Sequence, residues 1–172
     1  MTAESDDIMN KINSLKNDYY SENKKNLLFK NGQKFDCANT IVQNMNKADL
    51  FNCIIQIEEN NLVFNYTTFK TIMHPGIYAD LAHYIFLMNE QILVNYATYN
   101  VLVDIKGLTM TGVERYKDFI TVVSLEGQKA KKNFLQKLGK VHIINPPFMV
   151  ANISKIILPL LDTVIKERIV IM

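Results

Sequence analysis

Val141-His142-Ile143-Ile144-Asn145-Pro146-Pro147-Phe148 runs directly into an apolar segment at residues 149–161, and this stretch decides the fold. Residues 141–144 form a short apolar run suited to a parallel strand covered on both faces. Asn145-Pro146-Pro147 must end it, because proline offers no N–H to a ladder and fixes its own φ. The continuation has helical spacing. Phe148, Met149, Val150, Ile153, Ile156, Ile157, Leu160 and Leu161 recur so densely that one buried stripe would not use them all. A strand, a hard stop and a doubly apolar helix predict an α/β unit whose helix needs a ligand, a membrane or a partner.

Outward from this stretch the alternation continues. Residues 99–105 form a strand closed by Lys106-Gly107, a helix is expected around 112–125, and a short one over 129–138. Residues 169–172 supply a last strand. His74-Pro75-Gly76 precedes a long helix carried by Ile77, Leu81, Tyr84, Ile85, Leu87, Met88, Ile92 and Leu93. Runs at 54–57 and 62–66 about Glu58-Glu59-Asn60-Asn61 predict a hairpin. Nearer the start, Ser5 is expected to cap a helix with Ile8, Met9, Ile12, Leu15 and Tyr19 inward. The Asn- and Lys-rich residues 21–34 read as a loop, and Asp36 as the cap of a second helix that buries Ala38, Ile41, Val42 and Met45. Residues 47–50 then lead out of it. Such alternation favours a mostly parallel sheet covered by helices. The expected division is a helical lead-in with the first strand over residues 1–60 and a sheet-containing body over 61–172.

With 172 residues, 48% of them apolar, the chain suits one domain with a sizeable core. Glu4, Asp6 and Asp7 stand where a secretory leader would be cationic and then apolar. Lys155 breaks the late apolar run, and His83, Asn89 and Glu90 break the middle one, so no membrane span is expected. Cys37 and Cys53 match no zinc or redox spacing and predict thiols in a cytoplasmic, reducing environment. The net charge of +2 hides an asymmetry: residues 127–172 hold eight Lys/Arg against two Asp/Glu. Five of those cations, Lys129, Lys131, Lys132, Lys137 and Lys140, form a basic run that fits either a solvated face or contact with an anionic membrane or acidic partner. A net +2 without a recognised module is too weak a field for nucleic-acid binding.

No catalytic set emerges. Asp104 sits at a strand end without a second carboxylate, which fits a turn-capping role through Asx hydrogen bonds. His74, His83 and His142 are scattered, with no metal-ligand spacing. Ser124 lacks a nucleophile elbow, and residues 127–132 lack the second glycine and Lys-Ser/Thr pair of a phosphate loop. The expectation is a non-enzymatic protein without a cofactor.

Three segments, in order, resemble the CRAL-TRIO (Sec14-like) lipid-binding family. They are Leu62-Val63-Phe64 with the long helix behind it, Val101-Leu102-Val103-Asp104-Ile105-Lys106-Gly107-Leu108, and Leu138-Gly139-Lys140-Val141-His142-Ile143-Ile144-Asn145-Pro146-Pro147. Behind the third follow Leu158-Pro159-Leu160-Leu161-Asp162 and Lys166-Glu167-Arg168-Ile169. The resemblance spans residues 61–172. It implies an α/β fold with a mixed, mostly parallel sheet, an N-terminal helical lead-in, and an apolar pocket closed by a mobile helix.

It further implies binding or carriage of a lipid or other hydrophobic small molecule, by a cytoplasmic protein in transient, peripheral contact with a membrane. The pocket and gate positions are Phe148, Met149, Ile153, Ile156, Ile157 and Leu160. Family members usually carry a Tyr-Pro pair where this chain has Phe134 and Leu135. The phosphoinositide-binding branch places an acidic residue directly after that pair and a basic one before the last strand. Those positions hold Gln136 and Arg168, the candidates to orient a headgroup; for Arg168 a salt bridge with Asp162 or Glu167 is the alternative. The end at Met172 resembles the divergent branch that includes the BCH adaptor domains, which bind small GTPases and other proteins. A protein partner at Lys129, Lys131, Lys132, Lys137 and Lys140, or a homodimer covering the apolar helix, are therefore the competing expectations.

Overall fold

Residues 141–144 are extended as the apolar run requires, and they lie in an interior strand of one sheet. The computed structural model describes residues 3–25, 28–129 and 134–172, with side chains from Asp6 onward. Its five strands, β1 (Ile55–Glu58), β2 (Asn61–Asn65), β3 (Tyr99–Asp104), β4 (Leu138–Ile144) and β5 (Ile169–Ile171), neighbour one another in sequence order. β1 and β2 are antiparallel, and the later pairs are all parallel. The expected hairpin forms. Glu59 takes a φ of 56°, as short hairpin loops demand, and Asn61 Nδ2 donates to the Glu58 carbonyl at 3.0 Å.

Parallel neighbours need crossovers. α4 (Tyr66–Ile72) and α5 (Tyr78–Asn95) join β2 to β3, with α4 capped by the Asn65 side chain, which accepts from Thr68 N–H at 3.0 Å. α6 (Met110–Lys129) and α7 (Phe134–Lys137) join β3 to β4, and α8 (Val150–Ile157) and α9 (Thr163–Arg168) join β4 to β5. Gly107 has a φ of 72° at the exit of β3, a left-handed turn that any side chain would strain.

The register decides which strand residues are buried. Ile57, Leu62, Val101, Val141 and Ile169 form one row across the sheet, and Ile55, Phe64, Val103 and Ile143 another, all within or packed on the core. The opposite face carries Gln56, Val63, Leu102, His142 and Val170, none of which joins that core. On that face Val63, Leu102, His142 and Val170 are half-buried, so the core burial expected on both faces is found on one.

The N-terminal stretch differs in detail from its sequence reading. α1 (Ala3–Glu22) begins before Ser5, which lies inside its first turn and not at the expected cap position. α2 (Lys30–Gln43) takes in residues read as loop, so Asp36 is mid-helix and its carbonyl accepts from Thr40 Oγ1 at 3.0 Å. Burial of Cys37, Ala38, Ile41 and Val42 outweighs the turn character of Asn31-Gly32. Residues 47–50 start a helix of their own, α3 (Lys47–Ile54), capped by Asn46, whose side chain accepts from Ala48 N–H at 2.8 Å. Ile12 of α1, Ile41 of α2 and Leu50 of α3 join the same core cluster as the strands.

Candidate ligand site beside the strand ends

Because β3 and β4 are parallel, their C-terminal ends lie side by side. Asp104 Oδ1 accepts from Lys106 N–H at 2.9 Å, the Asx turn read from sequence, and from Asn145 Nδ2 at 3.0 Å. Asn145 has a φ of 52°, a conformation that Asn tolerates better than most residues. The chain thereby leaves the sheet at a fixed angle and enters the proline pair.

The apolar segment is three pieces and not one helix over 148–161. A turn closes with Val150 N–H donating to Pro147 O at 2.9 Å, α8 spans Val150–Ile157, and a 3-10 turn covers Leu158–Leu160. Pro159 accounts for the break, since it has no N–H for the helical ladder. Ile153 is buried at 3% exposure, while Ile156 and Ile157 pack on the core and α8 rests against α6. Phe148 stands fully exposed, Met149 and Leu158 are exposed, and Leu160 is half-buried. Of the six pocket candidates, then, Ile153, Ile156 and Ile157 turn inward and Phe148 and Met149 outward.

Arg168 ends α9. Its Nη1 donates to the Leu135 carbonyl at 2.8 Å and also to the Leu138 carbonyl, so the guanidinium holds α7 to the start of β4. It forms no described salt bridge with Asp162 or Glu167; Asp162 instead caps α9 by accepting from Val164 N–H at 2.8 Å. Burial pushes the Tyr99 phenol up to about 12, with the Arg168 charge pulling it the other way. Gln136 is exposed on α7. Lys129 pairs with Glu126 at 2.6 Å, Lys137 and Lys140 are exposed, and Lys131 and Lys132 lie outside the described residues.

Sequence reasoning missed two polar groups on the buried face of α5. Tyr78 Oη and Asn89 Oδ1 are both buried, and among the described residues neither has a hydrogen-bond partner. Burial raises the Tyr78 phenol well above its ordinary value. Asn89 read only as an interruption of an apolar run, and nothing local in the sequence marks either group as inward. His142 Nδ1, on the second face of the sheet, is likewise buried without a described partner.

An open cleft of about 410 Å³ lies between α1 and α2, lined by Tyr19, Glu22, Gln33 and Asp36 among others, and not beneath α8. Cys37 and Cys53 are both buried thiols. Among the described residues no group of three or more His, Cys, Asp or Glu could hold a metal ion, and no helix is long and apolar enough to cross a membrane.

A mostly parallel five-stranded sheet with an apolar helical segment after β4 defines the class as an α/β domain. The CRAL/TRIO domain model matches residues 58–172, two thirds of the chain, and the protein belongs to that family. The family binds lipids and other small hydrophobic ligands, and its members are generally transfer proteins and not enzymes. No curated protein and no solved structure matches the chain.

Proposed function

We propose that this protein binds one hydrophobic ligand, a lipid chain or sterol-like molecule, under residues 148–161, without covalent chemistry or a cofactor. The observation that carries the reading is the two-sided apolar segment: Ile153, Ile156 and Ile157 grip the core while Phe148, Met149 and Leu158 face outward. The proline pair before it and Pro159 near its end interrupt the helix ladder on both sides, so the short α8 is a unit able to shift against α6. A few hundred Å² of apolar ligand surface would supply several kcal/mol at about 25 cal/mol per Å². Tyr78 and Asn89, as buried polar atoms without a described partner, suit a ligand hydroxyl or carbonyl. Arg168 has donors beyond Nη1 for a phosphate oxygen, with exposed Gln136 nearby on α7. Residues 1–60 serve as a lead-in that fastens the body. The protein acts in the cytoplasm, touching a membrane transiently to load or release.

Native mass spectrometry of the purified protein, before and after organic extraction, tests this. A ligand mass that extraction removes and added lipid restores supports the reading; failure to take up any lipid overturns it.

The full exposure of Phe148 favours a second reading, in which a protein covers the segment: a second copy, or an adaptor partner such as a small GTPase reached also through Lys129, Lys137 and Lys140. A monomer mass across a wide concentration range removes the homodimer.

A further inference from the structure

Besides the basic residues at 129–140, a second group of cations gathers around α2, α4 and α6. Arg115, in the first half of α6, is held by Asn31 of α2, whose Oδ1 accepts from Arg115 Nε at 2.8 Å. Its guanidinium lies over the Tyr116 ring, 5.6 Å from the centroid. Tyr116 in turn donates its hydroxyl to the Lys70 carbonyl at 2.9 Å, and Lys70 Nζ lies over the Tyr66 ring, again 5.6 Å from the centroid. The two rings stand 6.3 Å apart, edge to face. Phe35 of α2 meets Tyr116 at 6.0 Å. This aromatic frame brings α2, α4 and α6 together with Lys34, Lys70 and Arg115 on it.

Lys34 records the crowding. Its ammonium is pushed below the usual lysine range, first by desolvation and then by the charges of Arg115, Lys70, Lys16 and Lys30. Lys70 and Arg115 thus share the Tyr116 frame beside Lys34, and Lys16 and Lys30 add to the positive field at Lys34, in a protein whose whole net charge is only +2. None of the five is in a described ion pair. Glu114, the acidic neighbour of Arg115, is engaged by Lys117 at 2.8 Å, and the first turn of α2 has no acidic residue. A solvated basic face usually intersperses its charges with carboxylates; here folding concentrates like charges over a rigid aromatic base, which is unfavourable until an anion enters.

We propose that Lys34, Lys70 and Arg115, in a field that Lys16 and Lys30 make more positive, form a binding site for a multivalent phosphate anion, whether a free oligophosphate or a multiply phosphorylated lipid headgroup. The arginine fork suits two oxygens of one phosphate, and the lysines act as point charges for its neighbours. The site does not depend on a lipid under α8. Arg115 and Lys129 are 14 residues apart on α6, about 21 Å along the helix, so it is also separate from Lys129.

The test is calorimetric titration of the full chain with sodium tripolyphosphate at low salt, beside sedimentation with phosphatidylcholine vesicles with and without phosphatidylinositol bisphosphate. Tripolyphosphate should bind, weaken steeply with added salt, and raise the melting temperature. Arg115→Lys combined with Lys34→Gln should weaken it by about tenfold or more, whereas Lys137→Gln with Lys140→Gln should not. Lys34→Gln alone, by relieving repulsion, should leave the ligand-free melting point unchanged or higher, which separates lost binding from lost folding. Vesicle binding that requires the bisphosphate and is competed by tripolyphosphate identifies a headgroup as the source; tripolyphosphate binding without vesicle binding identifies a soluble anion. No binding by the unmodified protein, or equal binding by the Arg115/Lys34 variant, overturns the site.

Discussion

Asn145 Nδ2 donates to Asp104 Oδ1 at 3.0 Å, joining the exits of two adjacent parallel strands through one carboxylate oxygen that also receives Lys106 N–H. Asn145 combines this bond with a φ of 52°. The two contributions separate by substitution. Asn145→Gly keeps the backbone easy and loses only the bond, for about 0.5–1.5 kcal/mol; Asn145→Ala adds left-handed strain of about 1 kcal/mol. Urea unfolding should rank wild type above Gly above Ala. Equal losses would show that the φ is not maintained in solution.

Arg168→Ala should destabilise by about 1.5–3 kcal/mol, because a charged donor leaves the Leu135 and Leu138 carbonyls. Arg168→Lys keeps the charge without the planar fork and should recover only part. Thermal melting checks the order. Wild-type stability in Arg168→Ala would mean that its clamp on α7 is dispensable.

His74 sets a pH dependence of known sign. Burial, then the Lys47 charge, holds its pKa below the ordinary 6.5, while Nδ1 accepts from Gly76 N–H at 3.2 Å. The unfolded chain therefore binds the proton first as pH falls. Stability from the neutral ring is whole above about pH 6.5 and declines below it, through the depressed folded value. His74→Asn keeps an acceptor for Gly76 without titrating in this range. Unfolding free energies measured at stepped pH from 7 downward should fall less steeply in the variant; identical slopes would assign the loss to other groups.

Ile153 and Phe148 should part company. Ile153→Ala empties a core position at 3% exposure and should cost about 2–5 kcal/mol. Phe148→Ser removes a fully exposed ring and should change stability by no more than about 0.5 kcal/mol, yet reduce lipid capture in the extraction experiment. Undiminished capture would remove Phe148 from the ligand path.

The strands, the hairpin and the hard stop were legible because each rests on local chemistry: Asn145-Pro146-Pro147 cannot continue a ladder, and Asp104 followed by Lys106-Gly107 makes its own turn. The length of α8 was not, since apolar spacing through residue 161 outweighed the single Pro159 in the reading. The start of α2 was missed because tertiary burial of Cys37 and Ile41, not capping, carries the helix back to Lys30. Which face packs on the core was hidden by composition: Leu102 and Ile144 are as apolar as Val103 and Ile143, and only the register tells them apart. The cations around Lys34 lay further beyond reach, spread from residue 16 to residue 115 with no periodicity to join them.

Tyr78 and Tyr116 offer the clearest contrast between a buried hydroxyl with a partner and one without. Both rings are buried in the core, but Tyr116 Oη donates to Lys70 O at 2.9 Å, whereas Tyr78 Oη meets no described partner. An unsatisfied buried hydroxyl costs about 1–3 kcal/mol, and phenylalanine fills nearly the same volume without it. In ligand-free protein Tyr78→Phe should therefore be neutral or stabilising, while Tyr116→Phe should lose about 0.5–1.5 kcal/mol by orphaning the Lys70 carbonyl. If Tyr78 anchors a bound molecule, the same Tyr78→Phe variant should also lose ligand-induced stabilisation on adding lipid. Denaturant melts of both variants, with and without lipid, decide this. A destabilised ligand-free Tyr78→Phe would show that its hydroxyl already has a partner, such as an ordered water, and would withdraw it as the anchor.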